Sequence, residues 1–134
     1  MKKFLMLMIA AGLSVIFLGC GAAQIYNVNN NTISLSADQQ VRMVDVEKAI
    51  IRAGAGLGWV MKKVADGQIQ GTLTLRKHIA TVIIKYNTEE YSINYLDSTN
   101  LDYNSAENTI HSQYNVWVQN LNKAVQVQLS LIGI

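Results

Sequence analysis

Apolar side chains at Met43, Val46, Ile50, Ala53 and Leu57 recur at steps of 3, 4, 3 and 4, which lays one stripe along a helix. Asp45, Glu47, Lys48 and Arg52 lie mostly off that stripe. Ser36-Ala37-Asp38-Gln39 has the spacing of a capping box, so the pattern predicts a helix over 36–57. Val41 and Val44 fit the stripe less well and allow a start as late as 43. Gly54, Gly56 and Gly58 end the helix. From there the period changes to two. Residues 59–64 read as a strand, and Asp66-Gly67 as a type I′ turn. Ile69, Gly71, Leu73 and Leu75 then alternate with polar residues, as in a half-buried antiparallel strand. Arg76-Lys77-His78 turns the chain into 79–86, a β-branched and nearly all-apolar run that fits a central strand. Residues 87–90 form the next turn, and 91–96 alternate again. The stretch 97–109 shows no periodicity and is long for a connection in a compact domain. In the last segment, 110–130, Ile110, Tyr114, Trp117, Leu121, Val125 and Gln128 or Leu129 share one helical face, capped by Asn108 or Thr109. Trp117 and Leu121 are the residues expected to anchor this helix. The predicted order is α-β-β-β-β-α. It makes an α+β two-layer fold, a four-stranded antiparallel meander with two helices on one face, in a single domain over 37–134.

The N-terminal pattern is different. Met1-Lys2-Lys3 is followed by fifteen uncharged, mostly apolar residues, 4–18. That run is short of the roughly 20 residues of a membrane span and has the layout of a secretory signal peptide over 1–19. It ends in Leu18-Gly19-Cys20, which resembles the lipobox of bacterial lipoproteins. The resemblance implies cleavage before Cys20, a diacylglyceryl group on its thiol and acylation of the new amino terminus. Phe17 departs from the leucine usual in that family. Gly21 follows, where the enteric sorting rule would place aspartate to retain a lipoprotein at the inner membrane. Its absence implies an outer-membrane address. Two or more acyl chains on one residue hold a protein firmly where one binds only marginally. Residues 20–36 are small and amide-rich and carry no charge, so they read as a flexible tether reaching about 20–25 Å.

Composition narrows the partners. The whole chain carries 11 basic and 9 acidic side chains, a net charge of +2. Without Lys2 and Lys3 the two signs balance, which gives no support to binding nucleic acid. The partners expected are the membrane, through the acyl chains, and a protein of the cell envelope. Cys20 is the only cysteine, so no intrachain disulfide can form.

Few groups suggest catalysis. The run Gly54-Ala55-Gly56-Leu57-Gly58 follows a helix and precedes a strand, the reverse of a phosphate loop. His78 and His111 lack metal-ligand spacing, no G-x-S-x-G occurs, and Glu89-Glu90 sit together at a turn. Lys62-Lys63 and Arg76-Lys77 are placed to meet across a hairpin as a small basic patch. No catalytic residue, metal or cofactor is therefore assigned. Tyr86, Tyr91, Tyr95, Tyr103 and Tyr114 gather around the 97–109 stretch. Tyr103, among Asn100, Asp102, Asn104 and Asn108, is the candidate binding residue, together with His111 at the start of the last helix.

The runs YSINYLDSTNLDY (91–103) and IHSQYNVWVQNL (110–121) resemble small uncharacterised lipoproteins of Gram-negative bacteria. The resemblance extends from about Val46 to Leu129. It implies a helix–four strands–helix domain and transfers no catalytic residue. The expected function is that of a non-catalytic, membrane-anchored lipoprotein of the cell envelope, structural or partner-binding. The expected location is the periplasmic leaflet of the outer membrane rather than the cell surface. A surface-exposed adhesin-like lipoprotein is the alternative, and a metal-dependent envelope enzyme a distant one.

Overall fold

The run 79–86 is the middle of a five-stranded antiparallel sheet in the structure, a computed structural model that describes residues 21–35 and 40–134. In chain order the elements are β1 (Ala22–Gln24), β2 (Val28–Thr32), α1 (Met43–Gly56), β3 (Val60–Ala65), β4 (Gln68–Leu75), β5 (His78–Tyr86), β6 (Glu90–Thr99), β7 (Thr109–His111) and α2 (Ser112–Ser130). The large sheet runs β2-β6-β5-β4-β3, while β1 and β7 pair as a separate two-stranded sheet.

The four-stranded α-β-β-β-β-α meander is therefore corrected. Strands β3 to β6 are the expected hairpin-linked series, but β2 adds a fifth strand along β6, and β1–β7 forms a second sheet. Helix α1 lies between β2 and β3 in the chain, not ahead of every strand. The segment read as a tether supplies two of the three extra strands, β1 and β2, and β7 comes from the end of the 97–109 stretch. The N-terminal segment carries no apolar alternation because β2 is an edge strand with only Val28 turned into the core. Its amides do the pairing instead. Tyr95 N–H donates to Asn27 Oδ1 (3.0 Å), Asn30 N–H to Ser92 Oγ (2.8 Å), and Asn94 Nδ2 to Asn29 Oδ1 (3.0 Å). Backbone and amide groups satisfy a strand without a hydrophobic stripe to betray it.

Both helices cover one face of the large sheet. Tyr86 and Tyr91 lie directly opposite one another on β5 and β6 and so share a face. The Tyr86 hydroxyl donates to Glu47 of α1 (2.8 Å), and the Tyr91 hydroxyl to Asn122 of α2 (2.5 Å). Between these layers Val46, Ile50, Ile69, Val82, Ile84, Ile93, Val118 and Leu121 are fully buried. Each contributes about 1.5–3 kcal/mol by leaving water.

The helix ends also differ from expectation. Helix α1 starts at Met43 behind Arg42. Asp45 accepts the Arg42 backbone N–H (3.3 Å) and pairs with its guanidinium (3.0 Å), closing the first turn. The capping box at 36–39 lies outside the described residues. Helix α2 starts at Ser112, because Ile110 belongs to β7, and its cap is His111 rather than Asn108 or Thr109. The buried stripe of α2 is Tyr114, Val118, Leu121, Val125 and Leu129, with Trp117 half-buried at its margin. Gly54 leaves room for Met61, whose side chain occupies the space a Cβ would take. Asp66-Gly67 closes the β3–β4 hairpin with positive φ only at Gly67 (+70°), so the turn is not type I′.

Candidate functional site

The residues singled out in the sequence gather at the end of the domain where the described chain begins. Ala22, Ala23 and Gln24 pair with His111, Ile110 and Thr109. Ser112 N–H donates to the Gly21 carbonyl (2.6 Å), and Ile25 N–H to the Asn108 carbonyl (3.1 Å). Asn115, one turn into α2, fastens the next residues with both ends of its amide. Its Nδ2 donates to the Gln24 carbonyl (2.8 Å), and its Oδ1 accepts Tyr26 N–H (2.9 Å). Gly21 itself has φ +118°, a conformation open to glycine and strained for other residues. A Cβ there would stand 3.5 Å from the His111 ring, so conformation rather than space demands glycine.

His111 is committed to this junction. Its Nδ1 accepts Gln113 N–H (3.1 Å), satisfying one of the free amides at the start of α2, and its own N–H donates to the Leu101 carbonyl (2.8 Å). Tyr103 is 42% exposed and stacks on Tyr95 with centroids 4.3 Å apart; Tyr95 in turn meets buried Tyr114 edge-on at 5.6 Å. Burial pushes the Tyr114 and Tyr95 hydroxyls above their ordinary range. Tyr103 therefore sits over the sheet and His111 against Gly21.

The stretch read as a 97–109 loop is shorter and more ordered than its composition suggests. Strand β6 runs to Thr99 and β7 begins at Thr109. Between them Leu101 is buried, and Asn104 Oδ1 accepts the N–H groups of Ala106 (3.0 Å) and Glu107 (3.2 Å). Asn100, Asp102 and Asn108 take positive φ, which short polar side chains tolerate best. Asn100 Nδ2 also donates to the Lys77 carbonyl (2.8 Å), and its carbonyl lies 2.7 Å from His78 Nδ1, tying the 76–77 turn to this end.

The remaining candidates do not assemble. Lys63 pairs with Glu47 (3.0 Å) and Asp66 (3.6 Å), so it does not join Arg76-Lys77 in a basic patch. Glu47 is held below its ordinary value, first by the Tyr86 hydroxyl and then by Lys63. The backbone N–H groups of Glu89 and Glu90 both donate to Asn87 Oδ1, which fixes the turn. Among the described residues no group of three His, Cys, Asp or Glu side chains is placed to hold a metal ion. No described helix is long and apolar enough to cross a membrane. A cleft of about 590 Å³ lies between Arg42, Lys48 and Arg52 along the α1 side and the C-terminal residues, away from Tyr103 and His111. Cys20 lies outside the described residues.

Sequence reasoning missed Asn115, Asn122 and Asn31, which join the N-terminal strands to α2 and to Tyr91. One signal was present: Asn115 and Asn122 are poor helix formers spaced seven apart within an otherwise good helix. No protein-family model, curated protein or solved structure matches this chain.

Proposed function

We propose that the protein is a lipoprotein of the bacterial cell envelope, anchored through acyl chains on Cys20, with a non-catalytic domain that serves a structural or partner-binding role. The observation that carries this reading is the order Lys2-Lys3, apolar 4–18, Leu18-Gly19-Cys20. The fold supports it at one point. Gly21, the residue after Cys20, is already bonded to the start of α2, so a chain cut before Cys20 keeps every residue of the described fold. With glycine rather than aspartate at 21, the address is the outer membrane, periplasmic leaflet. Tyr103, an exposed ring on a well-braced loop, is the contact offered to an envelope partner, with His111 holding the loop's far end.

Growing cells with a clickable palmitate analogue tests this. The unsubstituted chain should take up label and Cys20→Ala should not. Equal labelling of both, or of neither, would reject the anchor.

A further inference from the structure

We infer that the domain rests directly on the bilayer, with the apolar cleft of Leu57, Leu75 and Trp117 and the neighbouring 76–77 turn facing lipid; this rests on the lipoprotein reading above. The first observation is the lack of any spacer. Gly21 is bonded to the start of α2, and Cys20 is one peptide unit further on, about 3.8 Å between Cα atoms. An anchor on Cys20 therefore brings this end of the fold to the membrane surface, where a free 17-residue tether would not.

The second observation is what else lies at that end. Gly21 touches the space beside the His111 ring, His111 is bonded to Leu101, and Asn100 is bonded to Lys77. This unbroken series places the 76–77 turn at the anchored end. Leu75, next to that turn and 43% exposed, opens with Leu57 (43% exposed) and Trp117 onto a cleft of about 110 Å³ that Trp59 and Leu73 floor. Half-buried tryptophan beside exposed leucine is the composition that settles at a membrane–water interface. Met43 and Val44, exposed apolar side chains at the start of α1, lie about 20 Å along the helix from Leu57 and stay in water. Arg76 and Lys77 make none of the ion pairs among the described residues, and phosphatidylcholine, the lipid of the test below, carries no net charge to draw them. The contact is thus apolar in origin, and salt should not release it.

The test couples the chain from Cys20 onward, through its thiol, to a maleimide-bearing phospholipid in phosphatidylcholine vesicles with brominated acyl chains. Chemical coupling separates this test from acylation in cells, which the palmitate experiment reads by itself. Both tryptophans, Trp59 and Trp117, line the cleft, so their fluorescence should fall about twofold against unbrominated vesicles, at low and high salt alike. A flexible spacer of about 15 Gly/Ser residues between Cys20 and Gly21, reaching about 20 Å, should restore most of the intensity. A chain whose sole tryptophan stands at 43 (Met43→Trp with Trp59→Phe and Trp117→Phe) should give weak quenching. No quenching of the directly coupled chain, or equal quenching at the two ends of α1, would overturn the inference.

Discussion

Asn115→Ala removes the two hydrogen bonds that fasten residues 24–26 to α2, to the Gln24 carbonyl (2.8 Å) and from Tyr26 N–H (2.9 Å). Each contributes about 0.5–1.5 kcal/mol, so the local docking of the N-terminal strand should weaken by about 1–3 kcal/mol. Global stability should change less, because alanine is the better helix former by up to about 0.7 kcal/mol. Amide hydrogen exchange separates the two effects. Ile25 N–H, bonded to the Asn108 carbonyl at 3.1 Å, reports on the strand; Ile84, at zero exposure on the central strand, reports on global opening. Exchange at Ile25 should speed up by about tenfold to a hundredfold, while Ile84 stays nearly unchanged. Unchanged protection at Ile25, or an equal loss at both amides, would refute the view that Asn115 pins a separable N-terminal element.

Three further outcomes are expected. Gly21→Asp should loosen the same strand, because φ +118° is strained for any other residue, and exchange at Ile25 would show it; wild-type protection would count against that geometry. Tyr91→Phe removes a hydroxyl that donates to Asn122 and accepts from Asn31, costing about 1–2 kcal/mol and several degrees of melting temperature, whereas Tyr103→Phe should be silent. Glu47 is held below its ordinary 4.5 by Tyr86 and Lys63, so its contribution is complete above that value and is lost as the pH falls through its lower native value. Glu47→Gln should therefore flatten the acid limb of stability against pH, and an unchanged limb would contradict the pairing.

The parts of the fold that were legible in the sequence are those where burial is periodic. The alternation at Ile69, Gly71 and Leu73, the β-branched run around Val82 and Ile84, and the α1 stripe at Val46, Ile50 and Ala53 all face the core as their spacing requires. What was not legible is held by polar groups. Strands β1 and β2 present alanine and asparagine, and their pairing rests on backbone and amide bonds whose partners lie 60 to 91 residues away. No local pattern encodes such a partner. On α2 the steps 114–117–121 and 114–118–121 fit a helical face equally well, and it is the smaller Val118, not Trp117, that occupies the centre of the face. At the candidate site, the proximity of Tyr103, Tyr95 and Tyr114 was legible from their clustering. The role of His111 was not, since a cap depends on where the helix begins, and β7 moved that point to Ser112.

The central claim is that the mature chain begins at a lipidated Cys20, and an intact mass measurement of the protein extracted from the cell envelope with detergent tests it most directly. The account expects a mass that lacks residues 1–19 and carries a diacylglyceryl group plus one further acyl chain on the N-terminal cysteine, all lost with Cys20→Ala. A chain retaining residues 1–19, or one cut elsewhere and bearing no lipid, would contradict it.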